Sequence, residues 1–212
     1  MEDSPNTAIF ETDNAAENAE SCTDAPCDGI IEAIIALARE EGFECVGTVS
    51  TDELVVHEEV RSMCAANRCG HYDSNWACPP ACGPVDELYA EIMRRPTTIV
   101  VQTVGELEDD FDFFNMMEAG EKHNARFHVL ADRIRELYQE TADAVLEPYF
   151  LGAGHCTYCD ECTYPDAPCR CPEHSFVSLD APGFIVAEMC KAAGILYNHG
   201  SMTISYTSAV FV

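Results

Sequence analysis

The sequence predicts an α/β or α+β fold: a small mixed sheet flanked by helices, with two cysteine-rich loops at its edge forming a metal site. Three observations predict it. Segments of helical period alternate with β-branched runs along the chain. The two longest irregular segments, 64–84 and 152–172, hold most of the cysteines. And a chain of 212 residues with 47% apolar residues can bury a core without disulfide staples.

From Asp28, "DGIIEAIIALAREEG" carries an Asp cap, apolar residues at helical spacing and Gly42 as a stop, so it reads as a helix. "FECVGTVS" at 43–50 reads as a strand, and "TDELVVHEEVRSMC" as a helix led by Thr51 or Asp52. After the irregular segment from Cys64 to Pro84 comes a helix, "VDELYAEIMRR", then "TTIVVQTV" at 97–104, whose β-branched run is that of a buried strand. Residues 112–146 form one long helical stretch with a break near Gly120. "PGFIVAEMCKAAG" reads as a helix with Pro182 near its start and Gly194 at its end. Strands at "ILYN" and "MTISYTSAVFV" close the chain.

Residues 1–27 are rich in Asn, Ala, Glu, Asp, Ser and Thr and read as an acidic disordered tail, leaving 28–212 as a single cysteine-rich domain. Cys22 and Cys27 fall in that tail and are expected to be incidental. The N-terminus has no basic residue before Arg39 and no apolar core of a signal peptide, so no secretory signal is expected. "IIEAIIALA" is too short to span a bilayer. The expected compartment is the cytoplasm, where thiols stay reduced and dense cysteine points to metal or redox chemistry. A net charge of −27, with lysine only at Lys122 and Lys191, disfavours nucleic acid and anionic lipid as partners. It suits a basic partner protein or simple solubility.

Five cysteines crowd into "GHCTYCDECTYPDAPCRC", residues 154–171. Cys156, Cys159 and Cys162 come at intervals of three, like the start of the bacterial ferredoxin run whose backbone wraps a cubane cluster. Cys169 follows seven residues later, not four, so ligand partition cannot be read from spacing. The upstream stretch "CAANRCGHYDSNWACPPAC" supplies Cys64, Cys69, Cys78 and Cys82, with Pro79 and Pro80 excluding helix after Cys78. Three readings of the eight thiols stand: iron–sulfur ligation, a tetrahedral zinc site, or a catalytic thiol, which needs only one or two cysteines. Trp76 is a candidate to shield a cluster face or a plain core aromatic; Arg170 is a candidate hydrogen-bond donor to a cluster or a surface ion pair. Cys45 and Cys190 read as small core hydrophobes and Cys171 as an incidental neighbour. His71, His155 and His174 flank the cysteines as candidate ligands or hydrogen-bonding surface residues.

The stretches "NRCGHYDSNWACPPACG", "CTYCDECTYPDAPCRCPE" and "QTVGELEDDFDFFNMMEAGEKHN" resemble the predicted metal-binding family called domain of unknown function 2284, over roughly residues 30–212. The resemblance implies cysteine-ligated metal, iron–sulfur first, and no particular reaction. It carries over Cys64, Cys69, Cys78, Cys156, Cys159, Cys162 and Cys169; Cys82 enters only because eight thiolates need an eighth. In the "MMEAGEKHN" element, Glu118 and Lys122 are four apart and read as a helical ion pair or, with His123, as the lining of a pocket beside the cluster. The expected protein is therefore a cytosolic carrier of one or two 4Fe–4S clusters that transfers electrons with a basic redox partner. The alternatives are a zinc-binding structural or regulatory module, or a cluster-dependent enzyme on a small substrate.

Overall fold

The core is a five-stranded sheet covered by helices on both faces, which is why its central strands are buried without alternation over residues 98–103 and 207–211. The structure is a computed structural model that describes residues 27–141 and 146–212. The expected acidic tail lies outside the described residues, apart from Cys27 at the head of the first helix. Helix α1 spans Cys27–Glu40, strand β1 Cys45–Ser50, α2 Glu58–Ala65, α3 Val85–Ile92 and β2 Thr97–Glu106. Then follow α4 Phe113–Glu140, β3 Tyr149–Gly152, β4 Val177–Ser178, α5 Val186–Ala192 and β5 Thr203–Phe211.

The strand order is β1-β2-β5-β3-β4, antiparallel throughout except for the parallel β3–β4 pair, so the sheet is mixed and the fold is α+β. On one face Ile99, Val101 and Val210 pack against Ile34 and Ala38 of α1 and against Phe127, Leu130 and Ile134 of α4. On the other, Val100, Ala209 and Phe211 meet Ile92 of α3 and Met189 and Cys190 of α5. Each of these large side chains contributes roughly 1.5–3 kcal/mol by leaving water.

Three expectations need correction. Helix formation at Thr51 stops after a single 3-10 turn, Thr51–Glu53. Val56 then bridges Phe184, and the His57 amide donates to Gly183 O at 2.8 Å, so 54–57 is extended and α2 begins only at Glu58. Helix α4 runs unbroken through Gly120; a Cβ there would lie 3.0–3.3 Å from the Tyr206 ring, so the glycine serves a close approach to β5 and not a bend. "ILYN" pairs with no strand: Ile195 packs on the core while Leu196 and Tyr197 are exposed. The short strands β3 and β4 replace it, and they matter most here because the second cysteine loop joins them.

Candidate metal centre

Both cysteine loops sit at the β4 edge of the sheet. The first leaves α2, whose last turn carries Cys64, and returns to α3; the second leaves β3 and returns to β4. The first loop hooks onto β4, since Ser178 N donates to Ala77 O at 3.2 Å. Within it, Asn75 accepts from Ala77 N, Tyr72 N donates to Asn67 Oδ1, and the Pro79–Pro80 bond is cis. The second loop starts at Gly154, whose φ of +73° is costly for a side-chain-bearing residue. Thr163 Oγ1 donates to Pro168 O at 2.9 Å and Arg170 donates to Glu161 O, together closing the span between Cys162 and Cys169.

The two loops grip each other. Trp76 Nε1 donates to Ala167 O at 3.2 Å, and its ring meets Tyr164 edge-on at 5.0 Å. The Tyr164 hydroxyl donates to Asp73. His71 and His155 stack at 3.4 Å between ring centroids. Trp76 is thus a clasp between loops, and Arg170 a brace within its own loop.

The thiols fall into two groups. Burial pushes Cys64 up, helped by the Asp180 carboxylate and by Cys69 and Cys82, while the Arg61 guanidinium opposes this. Burial also pushes Cys78 up to about 11, with Cys82, Cys69 and Cys64 adding to it and a hydrogen bond from Asn75 opposing. Cys156 is raised by burial and by Cys169, Cys159 and Cys162. The thiols acting on each of these lie in its own loop. Three of the first group, Cys64, Cys69 and Cys78, line a cavity of about 250 Å³ together with His71, His155 and Asp180. The cysteines with placed side chains are all free thiols. Among the described residues no three His, Cys, Asp or Glu side chains converge as ligands of one metal ion, so the expected metal site is not formed as a single-ion cage.

One residue at the site carries no signal in the sequence. Arg61, three residues before Cys64 on α2, donates to Cys82 Sγ at 3.5 Å, to Ala181 O at 2.9 Å and to Gly83 O at 2.6 Å. It offsets the burial that raises Cys82, the role the sequence suggested for Arg170. Cys171 shares a hydrogen bond with Cys159 and so is a closer neighbour than expected. Cys190 is a core residue as expected, yet with Thr207 it surrounds the Gln102 amide; Cys45 lies 3.9 Å from His199 Nε2. His174 stacks on Tyr158 at 4.2 Å.

The "MMEAGEKHN" element does not line a cluster pocket in the expected way. Lys122 Nζ lies 3.7 Å from Glu44. His123 is fully buried between Thr103 and Ser208, and burial holds its pKa down at about 3. Among the described residues no helix is long and apolar enough to cross a membrane.

Compared with known proteins, the chain matches a family described as predicted metal-binding protein, DUF2284, over residues 47–212. No curated protein and no solved structure matches it.

Proposed function

Because the chain belongs to the DUF2284 family of predicted metal-binding proteins, we propose that it holds two iron–sulfur centres, one per cysteine loop, and exchanges single electrons through them. Cys64, Cys69, Cys78 and Cys82 would hold the first, and Cys156, Cys159, Cys162 and Cys169 the second. The observation that carries this reading is the spread of the thiols. Four thiolates about 2.3 Å from one zinc lie within about 4 Å of one another, a convergence absent among the described residues. Three thiols spaced around a cavity of about 250 Å³ suit a multi-atom core better.

When bound, such a cluster supplies a one-electron couple tuned by charge, burial and hydrogen bonds to sulfur. The chain's own residues set those conditions. Arg61 places a guanidinium on Cys82, and Asn75 donates toward Cys78. Cys78 is 5% exposed, which keeps water from its sulfur. Each loop exposes one of its thiols, Cys69 and Cys162, but the second has no buried cysteine to match Cys78 and is the natural place to exchange electrons with another protein. The net charge of −27 favours a basic redox partner that docks transiently by electrostatic steering, and the free thiols suit a reducing compartment such as the cytoplasm.

The test is iron, acid-labile sulfide and zinc per chain in protein purified without oxygen. About eight irons with matching sulfide are expected. About one or two zincs without sulfide would overturn the reading in favour of a structural zinc module.

A further inference from the structure

Four large apolar side chains stand in water where β2 leads into α4. Phe111, Phe113, Phe114 and Met117 are each between 65% and 77% exposed. Phe113 and Phe114 lie four and three residues before Met117 on α4, so these three share one side of its opening turns. Phe111 is joined to them through the turn, since Phe113 N donates to Phe111 O at 2.8 Å. The turn is fixed by its own carboxylates. Asp109 accepts from Phe111 N at 2.7 Å, and Asp112 accepts from Glu108 N at 2.9 Å and from Asn115 N at 3.1 Å. The exposed rings therefore belong to a structured turn, and exposed apolar groups clustered in this way mark interaction surfaces.

The patch leads to the second cysteine loop. Met117 lines a cleft of about 800 Å³ between α4 and that loop, whose facing wall is Gly154, His155, Thr157 and Tyr158. Thr157 directly follows Cys156 in the chain. A body seated on Phe113, Phe114 and Met117 has the second loop as its neighbour.

Charge decides what that body is. Residues 106–121 carry seven carboxylates and no lysine, arginine or histidine. Lys122, the next residue, lies 3.7 Å from Glu44. A second copy of the chain brings the same carboxylates to the same surface, and an anionic lipid brings phosphates; both are repelled. A protein surface with apolar side chains set among lysines or arginines is attracted by the acidic stretch and fits the apolar centre. We propose that Phe111, Phe113, Phe114 and Met117, set in the acidic stretch 106–121, form the docking surface for a basic partner protein. That the docked partner exchanges electrons with the second loop rests on the reading given above; the docking does not.

The probe is a labelled amphipathic helical peptide of leucine and lysine, titrated by fluorescence anisotropy into the full chain purified without oxygen. A peptide with glutamine in place of leucine, and so of equal charge, is titrated alongside, and iron is measured on the same sample. The leucine peptide is expected to bind saturably, and the glutamine peptide about tenfold more weakly. Phe113→Ser with Phe114→Ser, at two exposed positions, is expected to weaken the leucine peptide by about the same factor. Asp110→Asn with Glu118→Gln is expected to weaken it about fivefold at low salt, a difference that high salt removes. Glu136→Gln with Glu140→Gln, which removes the same charge at the far end of α4, is expected to leave the affinity unchanged. Equal affinity for the two peptides, no loss in the phenylalanine variant, or equal loss in the two carboxylate variants would overturn the proposal. So would a dimer of the chain alone, or binding to phosphatidylcholine vesicles, that the phenylalanine variant abolishes, because either gives the patch another occupant. A sample without iron strikes the metal reading and leaves the peptide result standing.

Discussion

His123 has no exposed surface, accepts or donates at both ring nitrogens, and meets Phe43 edge-on at 5.4 Å. Burial is the largest cause of its pKa near 3, with the Arg126 charge adding to it. Its ordinary value is about 6.5, so below that pH the unfolded chain takes a proton that the folded chain refuses. The stability that depends on this residue is complete above about pH 6.5 and is lost as pH falls toward 3. The expected slope from this one group is about 1.4 kcal/mol per pH unit across that window. Urea unfolding at pH 7, 6 and 5 checks it: the native chain should lose stability more steeply than His123→Gln. Parallel slopes would mean that the ring is protonated in the fold. In the sequence this histidine stood beside Lys122 in a motif and looked like a site residue; its neighbours Thr103 and Ser208 come from two other strands, which no local pattern shows.

Elements were legible where they were long. Helix α1, strand β2, helix α4 and strand β5 each carry enough residues for a period to declare itself, and each is found close to its expected place. β3 has four residues and β4 two, too few for alternation to register, although they frame the second cysteine loop. The segment 54–57 was unreadable for another reason: its apolar residues fit a helical face, but a bridge to Phe184 holds it extended. Packing between elements adds a constraint that composition hides. At Gly47 of β1 a Cβ would lie 2.2 Å from Ala193 O at the end of α5, so the glycine is what lets helix and strand meet. Gly47→Ala is expected to destabilise by about 1–3 kcal/mol through overpacking. Gly29→Ala in α1, where nothing lies within 4 Å of the new Cβ, is expected to stabilise by up to about 1 kcal/mol. Urea midpoints of the two proteins, moving in opposite directions from the native chain, are the check; a neutral Gly47→Ala would show that α5 can shift away.

At the scale of the whole molecule, the sequence showed that two cysteine loops exist and that they belong together, but not how. Spacing alone left open a shared site, with ligands drawn from both loops. The loops do meet, through Trp76 and Ala167, Tyr164 and Asp73, and the stacked pair His71 and His155, contacts between residues more than eighty positions apart in the chain. Yet the thiols that act on Cys64 and Cys78 stay in the first loop and those that act on Cys156 stay in the second. Arg61 has no local signature for the same reason: its target, Cys82, is reached across a turn of the loop and not along the helix that carries it. Two centres held separately have a consequence that one shared centre lacks. Cys78→Ser and Cys159→Ser should each remove about half of the iron and sulfide, and the double variant all of it, if each loop ligates its own cluster. Cys45→Ser, on β1 beside His199, should remove none. Trp76 adds an internal reporter, because it is the sole tryptophan and clasps the two loops. Loss of either centre should loosen that clasp and shift its emission to the red. Complete loss of iron from either single variant would mean one shared centre, and the assignment of four cysteines to each loop would fall.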